Sequence, residues 1–276
     1  MPCSVRVSSA LIAALALAAC GGDGTGPNGQ ELDDGSLAAI AGLPLGIGVV
    51  EAGPGSPAVG STTDLPAPIC KYQEGTGRFD CEPIINRGMT ITRSFAFLDG
   101  AGHPQRRFDP VTTASINTRM SIAGTLTTPQ GGTIKLDRRG EITVSGLAGA
   151  ETSHTLNGVE SGTSEFSAPA SPSLGAYSSK AISNDTTLDL VIPIPPRPAA
   201  GQRPAPVFPL SGKRISNQRI TSRFSNSPED GLTELTMRYV VTYNGTSVVT
   251  IEMTLDGQTK TCTVDLMAPS IGSCLF

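Results

Sequence analysis

LTMRYVVTYNGTSVVTIEMTLDGQTKTCTVDL, residues 235–266, is the stretch that decides the fold class. Apolar and polar side chains alternate along three segments of this stretch, which are separated by Asn244-Gly245 and Asp256-Gly257. A period of two places the apolar residues on one face of an extended strand, and Asn-Gly and Asp-Gly are typical of hairpin turns. The stretch therefore predicts a three-stranded antiparallel meander with one apolar face and one solvated, threonine-rich face.

The phase of the alternation also predicts how these strands pair. Apolar residues are odd-numbered in the first two segments, so the loop between them must have an odd length. We predict a three-residue loop, Tyr243–Gly245, with Gly245 left-handed and Thr242 opposite Thr246. The parity changes at Asp256-Gly257, which predicts a two-residue type I′ turn. The register that follows is Met253 opposite Lys260, Ile251 opposite Cys262 and Val249 opposite Val264.

The same alternation recurs upstream, which extends the prediction to the whole region from Cys70. The alternating runs cover residues 89–97, 116–126, 134–136, 142–144 and 188–194. We expect a turn at Arg139-Gly140. The run Pro193–Pro209 holds seven prolines and cannot form a central strand, so we predict a surface connection there. The sequence thus predicts one all-β domain over residues 70–276, an antiparallel meander that forms a curved sheet, a sandwich or an open barrel.

The charge pattern argues against one class of partner. The chain carries 20 basic and 24 acidic residues, and binding of nucleic acid needs a strongly basic face. Three short basic pairs are present, and we interpret each as a solvated turn. They are Arg106-Arg107, Arg138-Arg139 and Lys213-Arg214. We therefore predict no nucleic-acid partner.

The N-terminus has the features of an export signal. Arg6 precedes an apolar run, Val7–Ala19, which is too short for a comfortable transmembrane helix. Leu17–Cys20 (LAAC) resembles the lipobox of bacterial lipoproteins. The resemblance implies that residues 1–19 are a signal peptide and that the thiol of Cys20 receives a diacylglycerol that anchors the chain in a membrane. The alternative is an ordinary signal peptide with an incidental cysteine.

The resemblance to lipoproteins also implies a location. The residue after the lipidated cysteine is Gly21 and not the aspartate that retains enteric lipoproteins in the inner membrane, so we expect the cell envelope, with the outer membrane favoured. Residues 20–69 are rich in Gly and Pro and acidic, without an aromatic side chain, which predicts a flexible tether. The apolar run Leu37–Val50 leaves two alternatives open, a segment docked on the domain and an apolar linker.

Four cysteines remain after Cys3 in the signal peptide and the lipidated Cys20. They are Cys70, Cys81, Cys262 and Cys274. In an exported domain an even number predicts two disulfides, with three possible connectivities. We favour the local pairs, Cys70–Cys81 and Cys262–Cys274. The spacings that zinc sites usually show, CxxC and HxxxH, are absent from the sequence, so we predict no metal and no other cofactor.

Catalytic motifs give little support to an enzyme. The only histidines are His103 and His154, and no GxSxG nucleophile elbow occurs. The adjacent acids Asp33-Asp34 and Glu229-Asp230 fit solvated tether and turn sequence better than the carboxylate pair of a glycoside hydrolase. We therefore predict no catalytic residue and a non-enzymatic protein.

Several segments resemble β-rich hypothetical lipoproteins of environmental bacteria. They are Ile142–Leu147, His154–Gly158, Phe208–Gly212, Tyr243–Thr246 and Thr261–Leu266. That grouping has no assigned activity, so the resemblance implies no site. We expect a β domain that binds a protein partner or supports the envelope. One alternative is a carrier of lipid or another apolar ligand on the Met/Ile/Phe face, which could equally be packed core. Another is a hydrolase with a dispersed site.

Overall fold

Every regular element that the computed structural model describes is a β-strand. The described residues are 51–53, 56–58, 69–86, 88–127, 131–149, 151–169, 176–194, 207–224 and 231–267. The strands are β1 (Glu51–Gly53), β2 (Ser56–Ala58), β3 (Cys70–Gln73), β4 (Arg78–Cys81), β5 (Ile84–Asn86), β6 (Met89–Leu98), β7 (Pro104–Gln105), β8 (Ser115–Thr127), β9 (Thr133–Ser145), β10 (Ser153–Ala168), β11 (Tyr177–Pro193), β12 (Ser211–Phe224), β13 (Gly231–Thr242), β14 (Val248–Leu255) and β15 (Gln258–Asp265).

Thirteen of these strands form one antiparallel sheet, and most strands that follow one another in the sequence also lie side by side in the sheet. The order is β15-β14-β13-β12-β11-β10-β9-β8-β6-β4-β3, and the short strands β5 and β7 also pair with β6. The prediction of an all-β antiparallel meander is confirmed. The strands β1 and β2 form a separate pair within the predicted tether.

The predicted register of the last hairpin is confirmed. Ile251 lies opposite Cys262 and Val249 opposite Val264. The turn residues Asp256 and Gly257 both have positive φ, at 45° and 85°, which is the geometry of a type I′ turn.

The predicted loop between β13 and β14 is wrong in length but right in parity. Thr242 lies opposite Thr250 and not Thr246, so the odd-length loop is longer than three residues. Gly245 is left-handed, with φ of 83°, as predicted. Its N–H donates to the carbonyl oxygen of Pro209 at 2.9 Å. The loop is held by a contact from outside the hairpin, which local turn chemistry does not reveal.

The predicted turn at Arg139-Gly140 is also wrong, because β9 runs through it without a break. The apolar residues before and after this point are all even-numbered, and a continuous strand keeps that phase. The interpretation of two basic pairs as turns fails with it: Arg138-Arg139 lies in β9 and Lys213-Arg214 in β12. Arg106-Arg107 does lie in a bend outside the strands.

One face of the sheet carries most of the buried side chains, and we call it the inner face. Directly paired residues of antiparallel strands share a face, as do residues two apart on a strand. By this rule two apolar clusters lie on the inner face, one at each side of the sheet. The first contains Leu190, Val241, Tyr243, Val249, Ile251, Met253, Cys262 and Val264, and the second contains Cys81, Phe95 and Ile116.

The predicted disulfide Cys70–Cys81 is present and joins directly opposite residues of β3 and β4. Cys262 is also disulfide-bonded, whereas its predicted partner Cys274 lies outside the described residues. So do the signal peptide, Cys20 and the run 37–50. Within the described ranges, no helix has the length and apolar character to cross a bilayer.

Candidate ligand-binding cavity

A cavity of about 730 Å³ lies over the middle of the sheet. Five of its lining residues lie directly opposite one another on five consecutive strands, β6, β8, β9, β10 and β11, and we call them the central rung. They are Arg93, Met120, Gly140, Glu160 and Asp185. The volume falls in the range of about 300–1,000 Å³ that is usual for small-molecule sites. The cavity is therefore large enough for a ligand of ordinary size.

Two carboxylates of the central rung are buried and share one arginine. Nη2 of Arg138 lies 2.7 Å from Oε1 of Glu160 and 3.2 Å from Oδ2 of Asp185. The Glu160 side chain is only 2% exposed, and Asp185 is 11% exposed. A charge removed from water in this way needs a partner, which Arg138 supplies.

Glycines make this three-way contact sterically possible. Arg138 lies two residues before Gly140 on β9 and therefore shares the inner face with it. The residue opposite Arg138 on β10 is Gly162. A Cβ atom at position 162 would lie 2.6 Å from Cγ of Arg138, which is closer than real contacts allow. Gly140, which lies directly opposite Glu160 on β9, also has no side chain that could fill the space between Arg138 and Glu160. The arginine can therefore lean diagonally across the strands to the carboxylates.

The acidic pair is only partly satisfied. Oε2 of Glu160 and Nε of Arg138 are buried without a hydrogen-bond partner, and so is Oγ1 of Thr187. Burial is the largest effect on the pKa of Glu160 and raises it, as does the nearby charge of Asp185. Arg138 and Arg214 lower this pKa, but the net direction is upward. Glu160 therefore keeps a proton to a higher pH than an ordinary glutamate does, and its Oε2 has no hydrogen-bond partner among the described residues.

Arg93, at the other side of the central rung, differs from Arg138 because none of the described carboxylates pairs with it. Its Nε is buried without a hydrogen-bond partner. Burial alone lowers the pKa of Arg93, with no opposing effect from an acidic neighbour. An arginine stays protonated in a protein, so the cavity contains a partly buried cation to which the described part of the chain supplies no counter-charge.

A second cavity, of about 440 Å³, lies where β8, β10 and β12 end and β9, β11 and β13 begin. Hydroxyl groups dominate its inner-face lining. Oγ of Ser222 donates to Oγ of Ser179 at 3.3 Å and lies 3.2 Å from the Tyr177 hydroxyl. Because these hydroxyls bond one another, this cavity offers weaker evidence of a ligand than the central rung does.

The histidines considered as catalysts lie away from both cavities. Nδ1 of His103 is 3.4 Å from Oδ2 of Asp99 on an exposed turn, and the His103 side chain is 78% exposed. Nδ1 of His154 lies 2.9 Å from the carbonyl oxygen of Gly146. The acid pairs 33–34 and 229–230 lie outside the described residues. Across the described ranges, no three His, Cys, Asp or Glu side chains are grouped to hold a metal ion.

The central rung was missed in the sequence, although a signal for it exists. Arg93 interrupts the odd-numbered apolar stripe of Met89, Ile91, Phe95 and Phe97. Arg138 and Gly140 likewise interrupt an even-numbered stripe between Leu136 and Ile142. A charged residue in apolar phase marks a polar group on the buried face, where a partner or a ligand is needed.

Comparisons with known proteins do not add to this geometry. No family model matches the chain, and no curated protein or solved structure is significantly similar to it. Any function must therefore be argued from the cavity and from the sequence.

Proposed function

We propose that this protein is a lipid-anchored lipoprotein of the cell envelope whose β domain binds a ligand in the central cavity and does not catalyse a reaction. The observation that carries the proposal is the lining of the cavity. Buried polar groups without partners are costly, and Glu160 and Arg93 both present one there. A ligand with complementary polar groups would offset that cost.

Binding is favoured over catalysis by the chemistry of the lining. The two histidines lie elsewhere, and the Glu160–Asp185 pair is bridged by Arg138. A carboxylate held in this way is poorly placed to act as a nucleophile or as a general base, because its charge is already engaged. The same groups serve well as fixed hydrogen-bonding points for a bound molecule.

The ligand-binding part of the proposal can be tested by filling the cavity. Gly140→Leu places a side chain at the centre of the rung. Asp137→Leu places the same side chain on the opposite face of the same strand, at a position that does not line the cavity. We expect the protein purified from its native host to release a small molecule on solvent extraction, at near-stoichiometric yield by mass spectrometry. The yield should fall at least tenfold for Gly140→Leu and stay unchanged for Asp137→Leu. An extract without any bound molecule would refute ligand binding.

The anchoring part rests on residues 17–20 and on the Cys70–Cys81 disulfide, which is typical of exported proteins. Two or three acyl chains hold a protein on a bilayer far more firmly than one chain does. Cys20→Ala should therefore move the protein from the membrane pellet to the soluble fraction. Cys3→Ala, which removes the other N-terminal cysteine, should leave the fractionation unchanged. Retention of Cys20→Ala in the pellet would show that lipid on Cys20 is not the anchor.

A further inference from the structure

We propose that the ligand is an amphiphile with an apolar chain and an anionic headgroup, and that Arg93 binds the headgroup. This inference rests on the ligand-binding function proposed above and names the chemical class of the ligand. The headgroup could be the carboxylate of a fatty acid or the phosphate of a phospholipid, since both present anionic oxygens to a guanidinium.

The surroundings of Arg93 on the inner face are apolar. Met120 lies directly opposite Arg93 on β8. Ile91 and Phe95, two residues away on β6, share its face, and Ile91 lies opposite Ile122. A guanidinium among such side chains is poorly solvated, which strengthens any hydrogen bond it makes to an anion.

Other arginines of the sheet show that a partner is normally supplied by the protein itself. Arg78 donates to Oδ1 of Asn117 at 2.7 Å and to Oγ of Ser94 at 3.2 Å. Arg138 contacts two carboxylates. Arg93 has no such contact among the described residues, although it lines the cavity. The missing partner is therefore best explained by a molecule that enters the cavity.

The arrangement of the central rung favours an anion over a cation at this point. Glu160 is three strands away from Arg93, or about 14 Å along the sheet at the usual strand spacing. Its charge, like that of Asp185, is already engaged by Arg138. An anion beside Arg93 therefore meets an attractive charge, while the repulsive carboxylates are distant and compensated.

The apolar residues beside Arg93 favour a chain over a fully polar ligand. Phe79 and Phe95 stack with their ring centroids 4.9 Å apart, and Phe97 meets Phe95 edge-on at 5.2 Å. Met120 and Ile122 continue the apolar surface on β8. Of these side chains Met120 lines the cavity itself. An acyl chain that lies over Met120 is removed from water, while its headgroup stays at Arg93.

The test compares three ligands that share one chain. The full-length protein, purified in detergent and extracted of bound molecules, is titrated with oleate, oleyl alcohol and oleylamine. We expect oleate to bind at least tenfold more tightly than the alcohol, which lacks the charge, and the amine to bind no better than the alcohol. Arg93→Gln should abolish the preference for oleate, and Arg93→Lys should keep part of it. Arg219→Gln, at an arginine on the opposite face that does not line the cavity, should leave it intact.

The source of the anion is distinguished by a parallel titration with oleoyl lysophosphatidylglycerol. Whichever of the two anions binds more tightly, its affinity should fall at least tenfold in Arg93→Gln. Equal affinity of the wild type for oleate and oleyl alcohol, or a preference that survives Arg93→Gln, would overturn the role of Arg93 but leave ligand binding intact. Failure of all four compounds to bind would overturn the amphiphile, while the extraction experiment on Gly140→Leu decides ligand binding separately.

Folding of the variants provides a second readout. If Arg93 were a structural residue with an internal partner, Arg93→Gln would lower the melting temperature. We expect the ligand-free Arg93→Gln protein to melt at or above the temperature of the ligand-free wild type, because it no longer buries an unpaired cation. A clear loss of stability would contradict the assignment.

Discussion

Arg138→Met should lower the free energy of unfolding by about 3 kcal/mol at pH 7, which is within the range seen when one member of a buried ion pair is removed. Methionine keeps most of the apolar stem of the side chain but leaves Glu160 and Asp185 without their shared cation. We take the lower part of the range because the Arg138 side chain is 32% exposed. Denaturant titration of the wild type and the variant measures the difference.

The loss should grow as the pH rises. Burial raises the pKa of Glu160 in the folded protein, so Glu160 contributes stability below its unfolded pKa, and that contribution is lost as the pH rises through the folded pKa. Removing Arg138 removes an attraction that lowers this pKa, so the decline continues to a higher pH and becomes larger in total. The deficit of Arg138→Met should therefore be smallest near pH 4 and largest at neutral and higher pH.

A matched control lies on the opposite face of β8 and β9. Nε of Arg119 is 3.1 Å from Oε2 of Glu141, but these side chains are 56% and 41% exposed. Arg119→Met should cost less than about 1 kcal/mol, because exposed pairs contribute little. The double variant Arg138→Met, Glu160→Gln should recover part of the loss, since it removes the uncompensated charge. Equal costs for Arg138→Met and Arg119→Met would show that burial of the acidic pair has no energetic consequence.

Strand periodicity was enough to predict the fold class and much of the pairing. Alternation fixes which face of a strand is buried, and parity then limits the pairing, as the turn at Asp256-Gly257 shows. It could not give the length of the loop that follows Thr242, because Gly245 is held by Pro209 from another hairpin. Long-range contacts of this kind leave no local signal.

The candidate site was harder to predict for a different physical reason. Arg93, Arg138 and Glu160 come from three strands, and only the register brings them onto one face. Motif searches look for groups close in sequence, whereas this cavity joins residues 80 to 186. The useful signal was an interruption of the alternation, in which a charged residue occupies a position where an apolar side chain is expected. For Arg138, the sequence favoured a solvated turn, whereas the residue lies within β9.

Removing the Cys70–Cys81 disulfide should destabilise the protein by about 3 kcal/mol, the value that loop-closure entropy gives for a cross-link of similar span. The bond joins residues 11 apart and closes the hairpin of β3 and β4 at one edge of the sheet. Because Cys81 lines the central cavity, loss of the bond should also make the wall of the cavity beside Arg93 less rigid. The double variant Cys70→Ala, Cys81→Ala avoids a free thiol, and denaturant titration measures its stability.

The neighbouring pair of the same hairpin separates the effect of the cross-link from that of the side chains. Lys71 lies opposite Asp80, both are exposed, and replacing both by alanine should cost less than about 1 kcal/mol. A cross-link restricts the unfolded chain, so its removal should also increase the dependence of stability on denaturant, as a more expanded unfolded state exposes more surface. If the cysteine variant loses no more stability than the Lys71 and Asp80 variant, the hairpin is held by packing. Phe79 against Phe95 would then account for it, and the edge of the cavity would not depend on an oxidising compartment.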